Sequence, residues 1–201
     1  KMNATKWLVQ SELMKQQFTN KYFFGNMSHV KVMPFYPPLN FSNSNIERIE
    51  NSFLYVSNVA PHKNHENLIT AFCNAYDQTK QGSLVITVPS SNINLCQLIN
   101  HKIRQGYPIN NVGFIDREKL TELYLGHEYF IFPSLAESFG LGLAEAIDGG
   151  CKIIASDLSY TYEVCEPSLV FDPINIASIK AAIVRAIQNE LPYAKKLIEN
   201  D

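Results

Sequence analysis

Along this chain short apolar runs alternate with stretches whose apolar residues recur at helical spacing, and from residue 49 onward the switching is regular. The pattern predicts strands at Ser52–Val56, Leu84–Val88, Val112–Ile115, Tyr129–Phe132, Lys152–Ala155 and, last, Ser168–Phe171. Between them it predicts helices at His65–Tyr76, Leu95–Arg104, Lys119–Leu125 and Leu141–Asp148, with a closing helix at Ala177–Gln188. In that closing helix Ile179, Ile183, Ala186 and Ile187 share one face. Strands that are apolar throughout and alternate with helices are buried on both sides, as in a parallel sheet covered by helices. The expected fold class is therefore α/β, a doubly wound, Rossmann-like parallel sheet spanning about residues 49–190. Ligands of such sheets bind at the carboxyl ends of the strands.

The two ends differ. Trp7, Leu8, Leu13 and Met14 give partial helical periodicity over residues 5–20, and a short strand is expected at His29–Met33. Pro34-Phe35-Tyr36-Pro37-Pro38 and the polar run Asn40–Asn45 then break regular structure, which places a linker near residues 34–48. Residues 1–48 start no sheet of their own and read as the tail of a larger N-terminal domain plus that linker. Residues 191–201 read as a short polar helix or a frayed end.

Composition narrows the function. The 201 residues are 46% apolar and 18% charged, with net charge −2, an ordinary packed domain without the basic tract of a nucleic-acid partner. No apolar run reaches the ~18–20 residues of a membrane span, and no secretory leader is seen, so the expected location is cytoplasmic. Cys73, Cys96, Cys151 and Cys165 form no CxxC pair and are expected as buried free thiols. The five histidines lack HxH or HExxH spacing, so no metal site is expected. GxSxG and GxxxxGK[ST] are absent, and Val88 is followed by Pro-Ser-Ser rather than a glycine-rich turn. Serine hydrolases, P-loop nucleotidases and dinucleotide enzymes are thereby disfavoured.

Candidate chemistry concentrates at Pro133–Ala146, where Glu137 and Glu145 lie eight positions apart around a glycine-bearing turn entering a helix. A helix start offers N–H groups and positive dipole to a phosphate, while ionised carboxylates accept hydrogen bonds from hydroxyls. Phosphate beside polyol outlines a nucleotide-sugar. The plainer alternative makes Glu137 a dipole-complementing acid and Glu145 an exposed helix residue. Against it, Glu145 stands in the apolar stretch Leu143-Ala144-Glu145-Ala146-Ile147 and needs a partner or a ligand there. A second turn, Asn58 to His65, carries Lys63, a mobile cation suited to a diphosphate. Its plainer reading has Asn64 as a helix N-cap and Lys63 merely solvated. The loop after Val112-Gly113-Phe114-Ile115 is a weaker candidate for meeting a base.

These segments together resemble the C-terminal, donor-binding half of GT-B glycosyltransferases of family four, which are retaining and nucleotide-sugar dependent. The resemblance runs in order through Phe53–Val56, Lys63-Asn64-His65, Val112-Gly113-Phe114, Phe132–Leu141 with Glu145-Ala146, Ile153–Asp157, Glu163-Val164 and Phe171-Asp172-Pro173, covering roughly residues 52–188. It implies Glu137 as the catalytic position beside the transferred sugar and Glu145 on the ribose hydroxyls. Lys63 is implied on the diphosphate, capped by backbone amides near Phe139, Gly140 and Leu141. Asn58, Phe114, Ile115 and Ser138 complete the implied donor-binding set. Catalysis would then be charge stabilisation of a departing nucleoside diphosphate, with no metal and no cofactor. The acceptor would be a saccharide or lipid-linked saccharide, probed mainly by the missing domain, through which any peripheral membrane contact would also run. The group within the family that it most resembles serves bacterial capsule and surface-polysaccharide synthesis.

The sequence departs from the family at Ser57-Asn58, where a Gly-Arg pair usually grips the diphosphate, and at Gly142, Asp148 and Cys151-Lys152. Two other functions share the outline: a nucleotide-sugar binding module without catalysis, and a non-hydrolysing sugar-nucleotide epimerase. Transfer by these 201 residues alone is expected to be weak or absent.

Overall fold

Six short segments pair side by side in a computed structural model that describes residues 5–24, 26–33, 37–41 and 46–198. In chain order the elements are β1 (Trp7–Val9), α1 (Glu12–Tyr22), β2 (Val30–Val32), β3 (Ile49–Tyr55), α2 (His65–Thr79), β4 (Ser83–Ile86) and α3 (Ile93–Arg104). There follow β5 (Ile109–Asn111), α4 (Arg117–Gly126), β6 (His127–Phe132), α5 (Leu141–Asp148), β7 (Lys152–Ser156) and α6 (Ser159–Val164). The chain continues through β8 (Cys165–Glu166), β9 (Leu169–Phe171), α7 (Ile176–Gln188) and β10 (Lys195–Lys196).

The main sheet has the order β5-β4-β3-β6-β7-β9, and every neighbouring pair is parallel. Burial on both faces explains the unbroken apolar strands: Phe53, Leu54, Phe130, Ile131, Ile153 and Ile154 are all fully buried. Phe53 and Tyr129 stack on one side, where Phe72 of α2 meets Phe53 and the Tyr129 hydroxyl donates to the Ala186 carbonyl of α7. Phe130 faces the other side, against Tyr124 of α4. The chain leaves β3 toward β4 and β5, then crosses back to β6 beside β3. The turns after β3 and β6 therefore open together at the switch point, where an open α/β sheet holds its ligand.

Several expectations need correction. Residues 5–20 are not one helix: Trp7–Val9 pairs in parallel with Val30–Val32, and α1 begins only after Ser11, whose Oγ accepts the Met14 N–H at 3.1 Å. An N-cap residue has extended backbone, so it separates the two elements. The strand expected at Val112–Ile115 lies earlier, at Ile109–Asn111. Register with Leu84–Ile86 selects it, and Gly113 at φ +73° turns the chain away. Residues 191–198 contain no helix. Lys195–Lys196 pairs antiparallel with Cys165–Glu166 and is a strand beyond the one expected to be last; residues 199–201 lie outside the described residues. Parts of the expected linker, residues 34–36 and 42–45, also lie outside them.

Three departures from the family pattern have packing reasons. A Cβ on Gly142 would stand 3.2 Å from the Phe130 ring, so α5 approaches β6 more closely than a larger residue allows. Asp148 pairs with Lys196 at 2.5 Å and joins α5 to β10. The Cys151 thiol donates to the Tyr124 carbonyl at 3.1 Å, and burial pushes its pKa up to about 12. All four cysteines are free thiols.

Candidate functional site

The turns after β3 and β6 are tied together before any ligand arrives. Asn64 takes a left-handed backbone, φ 61°, and its Nδ2 donates to the Pro133 carbonyl at 3.0 Å and the Pro173 carbonyl at 2.8 Å. It thus joins three turns at the carboxyl edge; it stands at the N-cap position of α2, as the plainer reading had it, but its side chain makes no cap bond to that helix. The Leu135 N–H donates to the His62 carbonyl at 2.7 Å. Buried Tyr55 donates to the Lys63 carbonyl, and buried Tyr160 to the Ser134 carbonyl, each at 2.7 Å. Held this way, the turns are fixed relative to one another.

Lys63 and Glu137, expected as separate groups, are partners: Nζ lies 2.6 Å from Oε1, and both side chains are about nine-tenths buried (13% and 10% exposed). Lys63 is therefore neither mobile nor merely solvated. Beyond Glu137, Ser138 is exposed, Phe139 is buried, and Gly140 at φ 84° occupies the N-cap of α5. Glycine reaches that conformation without the Cβ penalty, and it brings no side chain to cap the helix start at Leu141.

Glu145, in the second turn of α5, is buried, 4% exposed. It is not an exposed helix acid. Its Oε2 accepts from the Tyr124 hydroxyl at 3.1 Å. Arg117 Nη1 stands 2.8 Å from Oε1, yet Oε1 receives no aligned hydrogen bond among the described residues. The buried acid has a counter-charge and an acceptor still available.

Asn58, Phe114 and Ile115 meet in a cleft of about 250 Å³, together with Val56, Thr87 and Leu120. Asn58 is exposed where the family's arginine would stand, and Phe114 is 79% exposed. Beneath Asn58, the Ser57 hydroxyl donates to the Asn58 carbonyl at 3.0 Å and lies 3.2 Å from His65 Nε2. Burial, reinforced by the charge of Lys63, pushes the His65 imidazole down to about 4, so the ring is neutral near pH 7. Desolvation likewise raises the Tyr55 phenol.

All ten sequence-derived positions thus lie on the three turns after β3, β5 and β6 and in the first two turns of α5. Sequence reading assigned no role at this edge to Arg117, Tyr124, Tyr55 or His65. Arg117 had only a faint signal, a cation in the polar Asp116-Arg117-Glu118 after a strand. Among the described residues no cluster of three His, Cys, Asp or Glu side chains suits a metal ion, and no helix is long and apolar enough to cross a membrane.

Comparisons with known proteins show the family and the fold. The chain is 29% identical over 141 residues to the O-antigen chain mannosyltransferase B of Escherichia coli, covering 68% of this chain and 37% of that protein. It is also 29% identical over 117 residues to the serotype-specific mannosyltransferase WbdA of Escherichia coli, covering 57% of this chain and 14% of that one. The chain therefore spans well under half the length of these relatives. Among solved structures, the pneumococcal O-GlcNAc transferase GtfA in complex with UDP and GlcNAc superposes at a TM-score of 0.74 with 21% identity, over 91% of this chain and 38% of that one. The Staphylococcus aureus TarM G117R mutant, in complex with fondaparinux, α-GlcNAc-glycerol and UDP, gives a TM-score of 0.75 with 15% identity, over 92% and 37%. These likenesses show a shared GT-B, Rossmann-like fold. The family model described as glycosyl transferases group 1 matches residues 39–201, and this chain belongs to that family.

Proposed function

We propose that residues 49–190 form the donor-binding domain of a retaining glycosyltransferase that moves a hexose from a nucleoside-diphosphate sugar to an acceptor hydroxyl in bacterial surface-polysaccharide synthesis. One observation carries the reading: a lysine and a glutamate meet 2.6 Å apart beside an α-helix start, with a second, buried glutamate in the following helix. Lys63 and the N–H groups entering α5 would take the diphosphate, and Glu137 the transferred sugar. The cleft at Asn58, Phe114 and Ile115 would take the base, and Glu145 the ribose. The protein then contributes positioning and charge complementarity to the departing diphosphate, and needs no metal for it. Mannose is the first sugar to test, because the two curated relatives are mannosyltransferases. Those relatives extend well beyond the matched region, and the reading assigns acceptor recognition to that remainder. Transfer by the 201 residues alone is then weak.

Thermal shift with UDP, GDP and their hexose conjugates tests the reading at millimolar concentration. A ligand at 100 times its dissociation constant stabilises by about 2.7 kcal/mol, a readable shift. At least one conjugate is expected to raise the midpoint, and a flat response to the whole panel would overturn the donor site. Exposed Asn58 in place of an arginine favours a second reading, a binding module without transfer. In the longer protein, Glu137→Ala separates the two: lost transfer with binding retained supports catalysis, and unchanged sugar chemistry supports the module.

A further inference from the structure

Glu145 cannot be buried as a bare charge, because an isolated carboxylate in a low-dielectric site costs several kcal/mol or more. Arg117 supplies the counter-charge from the first turn of α4, with Nη1 2.8 Å from Glu145 Oε1. The same guanidinium is anchored on its other side, where Nη2 donates to the Pro37 carbonyl. A guanidinium is a rigid planar fork, so fixing one nitrogen fixes the direction of the other. Tyr124, two turns along the same face of α4, holds the second carboxylate oxygen at 3.1 Å. Glu145 is thereby clamped from one helix by a cation and a hydroxyl, while Oε1 keeps acceptor capacity that no aligned donor uses.

We propose that Arg117 is a positioning residue for sugar-ring hydroxyls of the donor's nucleoside: it fixes the orientation in which the Glu145 carboxylate accepts from the ribose, and it couples that carboxylate to Pro37. The inference rests on the reading of Glu145 as the ribose contact. Arg117 acts through Glu145 and takes no part at the reacting carbon. Its side chain is 40% exposed, so its replacement removes the counter-charge of Glu145 rather than a part of the core.

The test is calorimetric titration of the chain with UDP, GDP and their 2′-deoxy counterparts, for the wild type, Glu145→Gln, Arg117→Ala and Arg117→Lys. The wild type is expected to favour the ribonucleotide by about tenfold, the scale of a charged hydrogen bond. Glu145→Gln and Arg117→Ala are expected to lose most of that preference, and Arg117→Lys, which keeps the charge but not the fork, to recover part of it. A merely structural role would weaken ribo- and deoxyribonucleotide equally and leave the ratio unchanged. Melting midpoints of all variants report folding, and Arg117→Lys answers the question if Arg117→Ala does not fold. A wild type that binds both forms alike would overturn the ribose reading of Glu145 and this inference with it. A wild-type preference that survives Arg117→Ala, or that Arg117→Lys abolishes as fully as Arg117→Ala does, would overturn the role of Arg117 alone.

Discussion

Lys63 Nζ and Glu137 Oε1 are 2.6 Å apart, so the cation proposed for the diphosphate and the carboxylate proposed for the sugar neutralise each other in the free protein. A diphosphate arriving at Lys63 must compete with Glu137. Glu137→Gln removes the competitor and a negative charge near the phosphates while keeping the shape. Its affinity for a nucleoside diphosphate is expected to rise by roughly fivefold, the equivalent of about 1 kcal/mol. Transfer is expected to fall at the same time. Titration calorimetry reads the first effect, and unchanged or weaker binding would contradict the competition.

Asn64 combines two terms that substitution can separate. Asn64→Gly keeps a left-handed backbone at little cost but loses the bonds to Pro133 and Pro173. Asn64→Ala loses the bonds and adds a backbone penalty of about 1 kcal/mol. With two buried carbonyls left unpaired, the glycine variant is expected to lose about 2 kcal/mol or more in urea unfolding. The alanine variant should lie below it, and equal stabilities would show that the backbone term is negligible.

Gly149 shapes the site from behind. A Cβ there would come within 2.5 Å of Tyr124 Cβ, an atom too near the main chain to swing away. Gly149→Ala is expected to cost about 1–3 kcal/mol by overpacking. It also displaces Tyr124, which holds Glu145, so nucleotide affinity should drop along with the melting midpoint. A destabilised variant with wild-type affinity would show that the Tyr124 contact is dispensable.

His65 sets a pH dependence. Its folded pKa, about 4, lies below the unfolded 6.5, so between these values the unfolded chain binds more protons. Stability is then level above about pH 6.5 and falls as pH drops toward 4, by on the order of 3 kcal/mol. His127, also lowered by burial, contributes in the same direction. Unfolding curves at stepped pH should show a shallower acid loss in His65→Gln than in the wild type. Parallel curves would remove His65 as the cause.

The legible parts of the sequence were those where local pattern and tertiary demand agree. Leu141–Asp148 was read to the residue, because its glycine entry, apolar run and glycine exit all mark the same boundaries. Ile109–Asn111 was missed because two of its three residues are asparagines. Asn111 satisfies its side chain on the Val88 backbone, an arrangement that periodicity does not register. Trp7–Val9 was absorbed into a helix because three residues are too few to show a period of two. At the site, the paired glutamates announced themselves, but their cations did not. Lys63 and Glu137 are 74 positions apart, and only the adjacency of β3 and β6 brings them together.

Lys196 reaches back from β10 to Asp148 at 2.5 Å, at the far end of the helix that carries Glu145. Anyone designing a truncation or placing a fusion partner would naturally treat this polar stretch as expendable. The contact argues for the reverse: residues through Lys196 buttress α5, and cutting ahead of them would soften the candidate site from its back side.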